Sequence, residues 1–305
     1  MRPRALVYRA LGLGDLLSGV PALRALRRAL PDHEIVLAAP DWQRPLVPLI
    51  GAVDRVLPTG ELRPPAWVGP PPEVAVDLHG NGPASRDLLS ALRPGRLVAF
   101  NTPDGPAWDP GEHERARWCR LVASAFGVSG DPDDVRLLAS GRRSWAPDAV
   151  LIHAGAASGS RRWPEERYAQ VARALAARGP VVLTGGHQER ALADRIRAAA
   201  GLPLDSMLAG RTDVLELAAI VAHARLVISG DTGVAHLASA YATPSVLLFG
   251  PTPPQHWGPP PGPHTVLWHG QEGYVGDPHA DEPDPVLLET TPEEVVGAAE
   301  ELLDR

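Results

Sequence analysis

Lysine is missing from this chain of 305 residues: all 29 basic side chains are arginine. Ala, Arg, Gly and Pro dominate, which marks a bias of the source genome, so a site that elsewhere uses lysine has to use arginine here. Cysteine is nearly missing as well. Cys119 stands alone, which rules out an intrachain disulfide and fits a reducing compartment. No apolar run is long enough for a signal peptide or a membrane span, so a soluble cytoplasmic protein is expected. A basic excess is lacking too, and a net charge of −7 argues against nucleic-acid binding as the main function. Nor is there a convincing set of metal ligands. Asp277, His279, Asp281, Glu282 and Asp284 fall together in a Pro-rich loop and read as solvated surface, so neither a metal nor a cofactor is expected.

What is present is a long alternation of buried strands and helices. The length suits two domains with a core large enough to need no staple. The organising stretch runs from Leu226 to Gly250. A buried strand (Leu226–Ser229) enters the turn Gly230–Gly233, then a small-residue helix (Val234–Tyr241) and a second buried strand (Pro244–Phe249). That is the βαβ arrangement of a parallel sheet, with the turn at the carboxyl end of a strand, where such folds bind ligands. The N–H groups of Thr232, Gly233 and Val234 suit an anion there, with Asp231 and His236 beside them. Locally, Asp231 reads equally well as a helix N-cap.

The same alternation begins at the N-terminus. Strand Arg4–Arg9 enters Ala10–Asp15 and a helix over Leu16–Leu30, with Pro21 in its first turns. The Gly-x-Gly of this corner lacks the third glycine of a dinucleotide fingerprint, since Leu17 stands there, which disfavours an NAD-dependent dehydrogenase. The corner does offer a carboxylate, Asp15, as N-cap or working group. Strands follow at Glu34–Ala39, Arg55–Pro58, Glu73–Leu78 (ending at His79) and Arg96–Phe100, with loops at Thr59–Pro72 and Asn101–Gly111. The pattern restarts at Ala149–His153 with a small-residue loop, Ala154–Ser160, before a helix opening at Pro164. A last helix spans Pro292–Leu303. The fold class is therefore α/β: two doubly wound, Rossmann-like domains with a cleft between them. Read alone, Arg161 and Arg162 are also solvated charges, Trp163 core, Glu189 a first-turn acid, and His153 a strand-end cap.

Several motifs in fixed order carry more weight than any one. They are Gly12–Asp15 with Pro21–Leu26, His153–Gly155, Arg161–Pro164, Gly185–Gly186 with Glu189, Leu215–Ala218, Asp231–Gly233 with His236, and Phe249–Pro253. In this order they resemble glycosyltransferase family 9, the heptosyltransferase family of lipopolysaccharide core synthesis. The resemblance implies a GT-B fold with three parts: an acceptor-binding domain over 1–147, a nucleotide-sugar-binding domain over 148–285, and a terminal helix, 286–305, returning to the first domain. It implies an inverting, metal-independent transfer of a sugar, ADP-heptose or similar being the donor, to a hydroxyl of a glycan or glycolipid, with peripheral contact at the inner membrane face. Asp15 matches the family's base and is expected to stay ionised; Gly14 and His79 lie on the acceptor side. Arg161 matches the family's phosphate-binding lysine, a forked cation replacing a point charge. On the donor side stand His153, Ser158, Ser160, Glu189 (near the ribose), Asp231 (on sugar hydroxyls), Thr232, Gly233 and His236. Two other readings keep the same residues: a nucleotide-sugar epimerase or hydrolase, and a nucleotide-sugar-binding protein without turnover.

Overall fold

The computed structural model describes residues 2–305, and the chain divides into two compact units, Met1–Leu138 and Ala139–Arg305. Residues 139–147, expected in the first lobe, thus belong to the second unit.

The first unit contains β1 (Arg4–Tyr8), α1 (Leu13–Ser18), α2 (Val20–Ala29), β2 (Glu34–Ala39), a 3₁₀ turn (Asp41–Leu46), α3 (Val47–Ile50) and β3 (Arg55–Pro58). It continues with β4 (Val74–Asp77), α4 (Pro83–Ser90), β5 (Arg96–Val98) and α5 (Glu114–Phe126). All five strands are parallel, in the order β3-β2-β1-β4-β5. Ala5 to Tyr8 and Ile35 to Ala39 are buried without interruption, as a parallel sheet covered on both faces requires. The expected single helix over 16–30 is two helices, broken at Gly19. A Cβ at Gly19 would sit 3.0 Å from Cδ and Nε of Arg9. Glycine at this junction leaves room for that side chain, and Pro21 stands in the first turn of the second helix.

The second unit contains β6 (Val150–His153), a 3₁₀ turn (Gly159–Arg161), α6 (Glu165–Leu175), β7 (Val181–Thr184), α7 (Arg190–Ala200) and α8 (Val214–Ala222). Then come β8 (Leu226–Gly230), α9 (Gly233–Tyr241), β9 (Ser245–Leu248), α10 (Pro254–Trp257), β10 (His264–Leu267), α11 (Pro285–Glu289) and α12 (Pro292–Leu303). Its sheet is also wholly parallel, ordered β7-β6-β8-β9-β10. Helix α12 starts at a capping box, Thr291 Oγ1 accepting from Glu294 N and Glu294 accepting from Thr291 N. Its Val295, Ala298, Ala299, Leu302 and Leu303 fill the core of this unit beside α6, β8 and β9. This corrects the expectation of a helix returning to the first lobe. Only Thr290 and Thr291 separate it from α11, and the Thr290 carbonyl is pinned by Trp163 Nε1 at 3.1 Å and Arg167 Nη1 at 2.7 Å.

The strand order of each sheet reverses beside its first strand, between β1 and β4 in one unit and between β6 and β8 in the other. The loops leaving those strands frame the crevice in which doubly wound sheets take their ligands. No helix among the described residues is long and apolar enough to cross a membrane.

Candidate active site

The first corner is built on Arg9, which follows β1 and is 0% exposed. Its guanidinium donates through Nε to the carbonyl of Asp15 and through Nη1 to that of Leu78, tying the loop after β1 to the loop after β4. Nη2 reaches Ser18 Oγ at 3.0 Å and Glu114 Oε1 at 3.2 Å. The other oxygen of Glu114 takes Arg117 Nη1 at 2.5 Å, and Trp118 Nε1 donates to Oε1 at 2.6 Å beneath the Arg9 plane. A buried cation is tolerable because every one of these bonds is made.

Asp15 sits in the first turn of α1 with its side chain 31% exposed. Oδ2 accepts from Gly12 N at 3.2 Å, and Oδ1 lies 3.9 Å from Arg9 Nη2. Burial raises its pKa above the usual carboxylate value; Arg9 opposes the rise, Glu114 adds to it, and the Gly12 amide opposes it. Desolvation thus outweighs the amide at the helix start and the Arg9 charge in setting the direction of the shift. Gly14 precedes it on the same turn.

Across the Arg9 link, Leu78 leads to His79. Burial drives the His79 pKa down to about 4, with Arg9 adding to the effect, so its ring is neutral near pH 7. The ring packs 4.9 Å from Tyr8, and its Nδ1 is buried without a partner. Asp77, at the end of β4, is fully buried; it accepts from Ser85 Oγ at 2.7 Å and His79 N at 3.0 Å. Burial pushes its pKa up to about 6 against both bonds.

The second corner joins three segments. Ser158 opens the 3₁₀ turn after β6, Ser160 and Arg161 lie within it, and Thr232 and Gly233 start α9 after β8. A Cβ on Gly230 would meet the Arg161 carbonyl at 3.3 Å, so the two loops touch. From below, Ser160 N donates to Ala280 O at 2.9 Å and Asp284 N to Ser160 O at 3.1 Å. Gly159 lies so close to the Asp281 carbonyl that no side chain fits there. The acidic loop expected at the surface is thus partly a buttress: Asp284 is buried, accepting from Tyr274 Oη at 2.8 Å and capping α11 through Val286 N at 2.9 Å.

In this cradle Ser160 Oγ, Arg161 Nε and Thr232 Oγ1 are all buried and none has a partner. Asp231 is not the cap of α9; Thr232 is. Asp231 is buried and lies 4.0 Å from His236 Nε2, one turn on, whose ring stacks edge-on with Trp257. On the far side, His153 Nδ1 is 3.2 Å from Thr184 Oγ1, and burial lowers its pKa, with Glu189 pulling the other way. Glu189 Oε2 accepts from Gly186 N at 2.6 Å, and its carboxylate lies against Gly155, where no Cβ fits. Trp163 is core, edge-on to Tyr168 at 5.0 Å.

Every donor-side residue expected from the sequence thus gathers at the β6/β8 switch point or the adjoining β7 loop, and Asp15, Gly14 and His79 gather at the β1/β4 one. Arg9, Glu114 and Asp77 were missed. Arg9 and Asp77 carried one signal, a charge directly after an apolar run; Glu114, inside a polar stretch, carried none.

The model of glycosyltransferase family 9 (heptosyltransferase) matches residues 107–277, more than half of the chain. The chain belongs to glycosyltransferase family 9. Among its family 9 relatives is lipopolysaccharide heptosyltransferase 1 of Pseudomonas aeruginosa, 28% identical over 288 residues, covering 82% of this chain and 79% of that one. Lipooligosaccharide heptosyltransferase 2 of Haemophilus influenzae is 34% identical over 104 residues; the match spans 33% of this chain and only 30% of the relative. Among solved structures, the Escherichia coli ADP-heptose lipopolysaccharide heptosyltransferase II superposes with a TM-score of 0.78 at 21% identity, over 98% of both chains. That likeness places the two parallel-sheet units in the GT-B fold.

Proposed function

We propose that this protein is an inverting, metal-independent glycosyltransferase that moves a heptose from ADP-heptose, or a close relative of it, to a hydroxyl of a glycan or glycolipid acceptor. The observation that carries this reading is the set of three orphaned groups, Ser160 Oγ, Arg161 Nε and Thr232 Oγ1. All three are donors, all are buried, and together they want an acceptor-rich anion. A diphosphate supplies that, and leaving buried donors unmet would cost about 1–3 kcal/mol each. The amides that open α9 add dipolar support as charge builds on the leaving group.

In the reaction, the acceptor hydroxyl oxygen attacks the anomeric carbon from the face opposite the diphosphate. The C–O bond to the diphosphate breaks, and its electron pair leaves with the nucleotide. Asp15 takes the hydroxyl proton, and its raised pKa makes it a better base than a fully solvated carboxylate. Glu189 is read as the partner of the donor ribose, Asp231 with His236 as the contact for sugar hydroxyls, and His153 as a neutral phosphate contact. The first unit holds the acceptor, with His79 and Gly14 at its side, and the second holds the donor. A glycolipid acceptor would bring the protein to the cytoplasmic face of the inner membrane.

The test is product analysis with ADP-heptose, run with and without a core-oligosaccharide acceptor. Heptose should move only when acceptor is present, with the anomeric configuration inverted. An altered or free sugar formed without acceptor would replace this reading by the epimerase or hydrolase one. Calorimetric binding of ADP with no transfer to any acceptor would leave a binding protein.

A further inference from the structure

We propose that Arg9 is a positioning residue for Asp15: clamped from beneath by Glu114, its guanidinium fixes the corner that carries the carboxylate and governs the pH at which that carboxylate gives up its proton. The inference rests on the reading of Asp15 as the base.

The geometry has three parts. The Nε and Nη1 donors are committed to the carbonyls of Asp15 and Leu78, so one rigid fork sets the spacing of the two loops at the β1/β4 switch point. The charge is divided unequally, with Glu114 at 3.2 Å and the Asp15 carboxylate at 3.9 Å. The whole assembly is dry: Arg9 is fully buried, Glu114 and Arg117 nearly so, and Trp118 closes the floor. Asp15 therefore feels an attracting cation held back by a competing anion. The other charged or titratable groups at this site are Arg117, bound to Glu114, and on the β4 side Asp77, whose pKa burial pushes up to about 6, with His79 neutral beside it. The room for the fork comes from Gly19, where any side chain would press on Arg9.

The two ends of the pair should pull in opposite directions. In Arg9→Gln the carboxylate loses its cation, so the acid limb of the pH–rate profile should move up by about one unit. In Glu114→Gln the competing anion is gone and Arg9 acts undivided, so the limb should move down. A purely structural role would lower the folded fraction in both variants and displace neither limb in a sign-dependent way. Arg9→Lys keeps the charge and loses the fork: turnover should fall roughly tenfold with the donor KM held and the limb close to native.

The experiment is therefore a set of pH profiles of acceptor turnover for native protein, Arg9→Gln, Glu114→Gln, Arg9→Lys and Asp15→Asn, with a carbon-13 titration of the Asp15 carboxyl in native protein and Arg9→Lys. Opposite displacements, with the slow but unshifted lysine variant, support the inference. Displacements of the same sign, or a lysine variant as fast as native, overturn it. If the glutamine variants do not fold, the lysine variant decides by the same turnover criterion. Full turnover in Asp15→Asn would instead overturn the reading of Asp15 as the base, whatever the Arg9 variants do.

Discussion

The two sheets differ in strand order, three strands lying on the β1 side of the first sheet's switch point and two on the β6 side of the second's. Both reverse beside their first strand, yet the corners made there are furnished in opposite ways. At the β1/β4 corner the groups that hold Asp15 in place are satisfied by the chain, Arg9 by two carbonyls, a hydroxyl and a carboxylate, and Glu114 by three donors, while His79 Nδ1 and Arg117 Nε at its edge are buried without partners. At the β6/β8 corner three buried donors have nothing to donate to. A satisfied network is stiff and can hold a proton acceptor at a set angle and a set basicity. An unsatisfied one is stable only as long as something else completes it. On the proposed function, the first corner serves the chemistry and the second the ligand.

The sharpest way to break this comparison is Asp15→Asn. The amide keeps the shape and a hydrogen-bonding oxygen for Gly12 N but cannot take a proton. Turnover should fall by about 10²–10⁴-fold, while the affinity for ADP, measured by calorimetry, stays within about twofold, because the groups proposed to hold the donor lie on the other corner. A parallel loss of ADP affinity would mean that the two corners do not divide the work in this way.

The strands were legible because each is an unbroken apolar run between turn signals, and the donor corner because its residues form ordered local motifs: Asp231, Thr232 and Gly233 are neighbours, as are Ser160 and Arg161. Arg9 and Glu114 were not legible. They lie 105 positions apart and meet only through the fold. Nor could the sequence say that Asp15 has a raised pKa, since that depends on what covers it and not on the helix start that follows it. The place of α12 was misread for a related reason. Its pattern of Val295, Ala298, Ala299 and Leu302 says that one face is buried, and is silent on what buries it.

Glu114→Ala tests the stiffness of the first corner. It leaves Arg9 and Arg117 buried without their carboxylate, and breaking a buried pair in this way costs about 3–5 kcal/mol. A urea titration should show it. The contrast is Glu165→Ala, which removes an exposed partner of Arg195 in the second unit and should cost less than about 1 kcal/mol. Equal losses would mean that the Arg9 network is not the stiff element claimed for it.

Asp77 sharpens the comparison through pH. Its folded pKa, about 6, is raised above the unfolded value, so the buried neutral form is the favoured one. The stability it contributes is fully present below about pH 4 and is lost as pH rises through 6. A rise of two units corresponds to about 3 kcal/mol. Relative to Asp77→Asn, the native protein should lose stability by about that amount between pH 4 and pH 7, read as the difference between two urea-melt series. A flat difference would mean that Ser85 and the His79 amide hold the carboxylate ionised throughout.

The smallest effect belongs to Arg161→Lys, which restores the residue that the family resemblance expects. If the second corner simply awaits an anion, an ammonium should do nearly as well as a guanidinium, and ADP affinity should change by less than about tenfold. The direction should be a loss, because Arg161 offers its ligand an Nε donor that is already buried and oriented, while lysine has to bring its charge into the same place on a flexible stem. Arg161→Ala, with neither charge nor donor, should lose more, about 10–100-fold, as expected for a charged hydrogen bond of about 1.5–3 kcal/mol. Calorimetry with ADP orders the three proteins. Alanine equal to lysine would show that the charge contributes nothing. Lysine equal to arginine would show that the orphaned Nε is not aimed at the diphosphate, which would leave Ser160 and Thr232 alone to hold it.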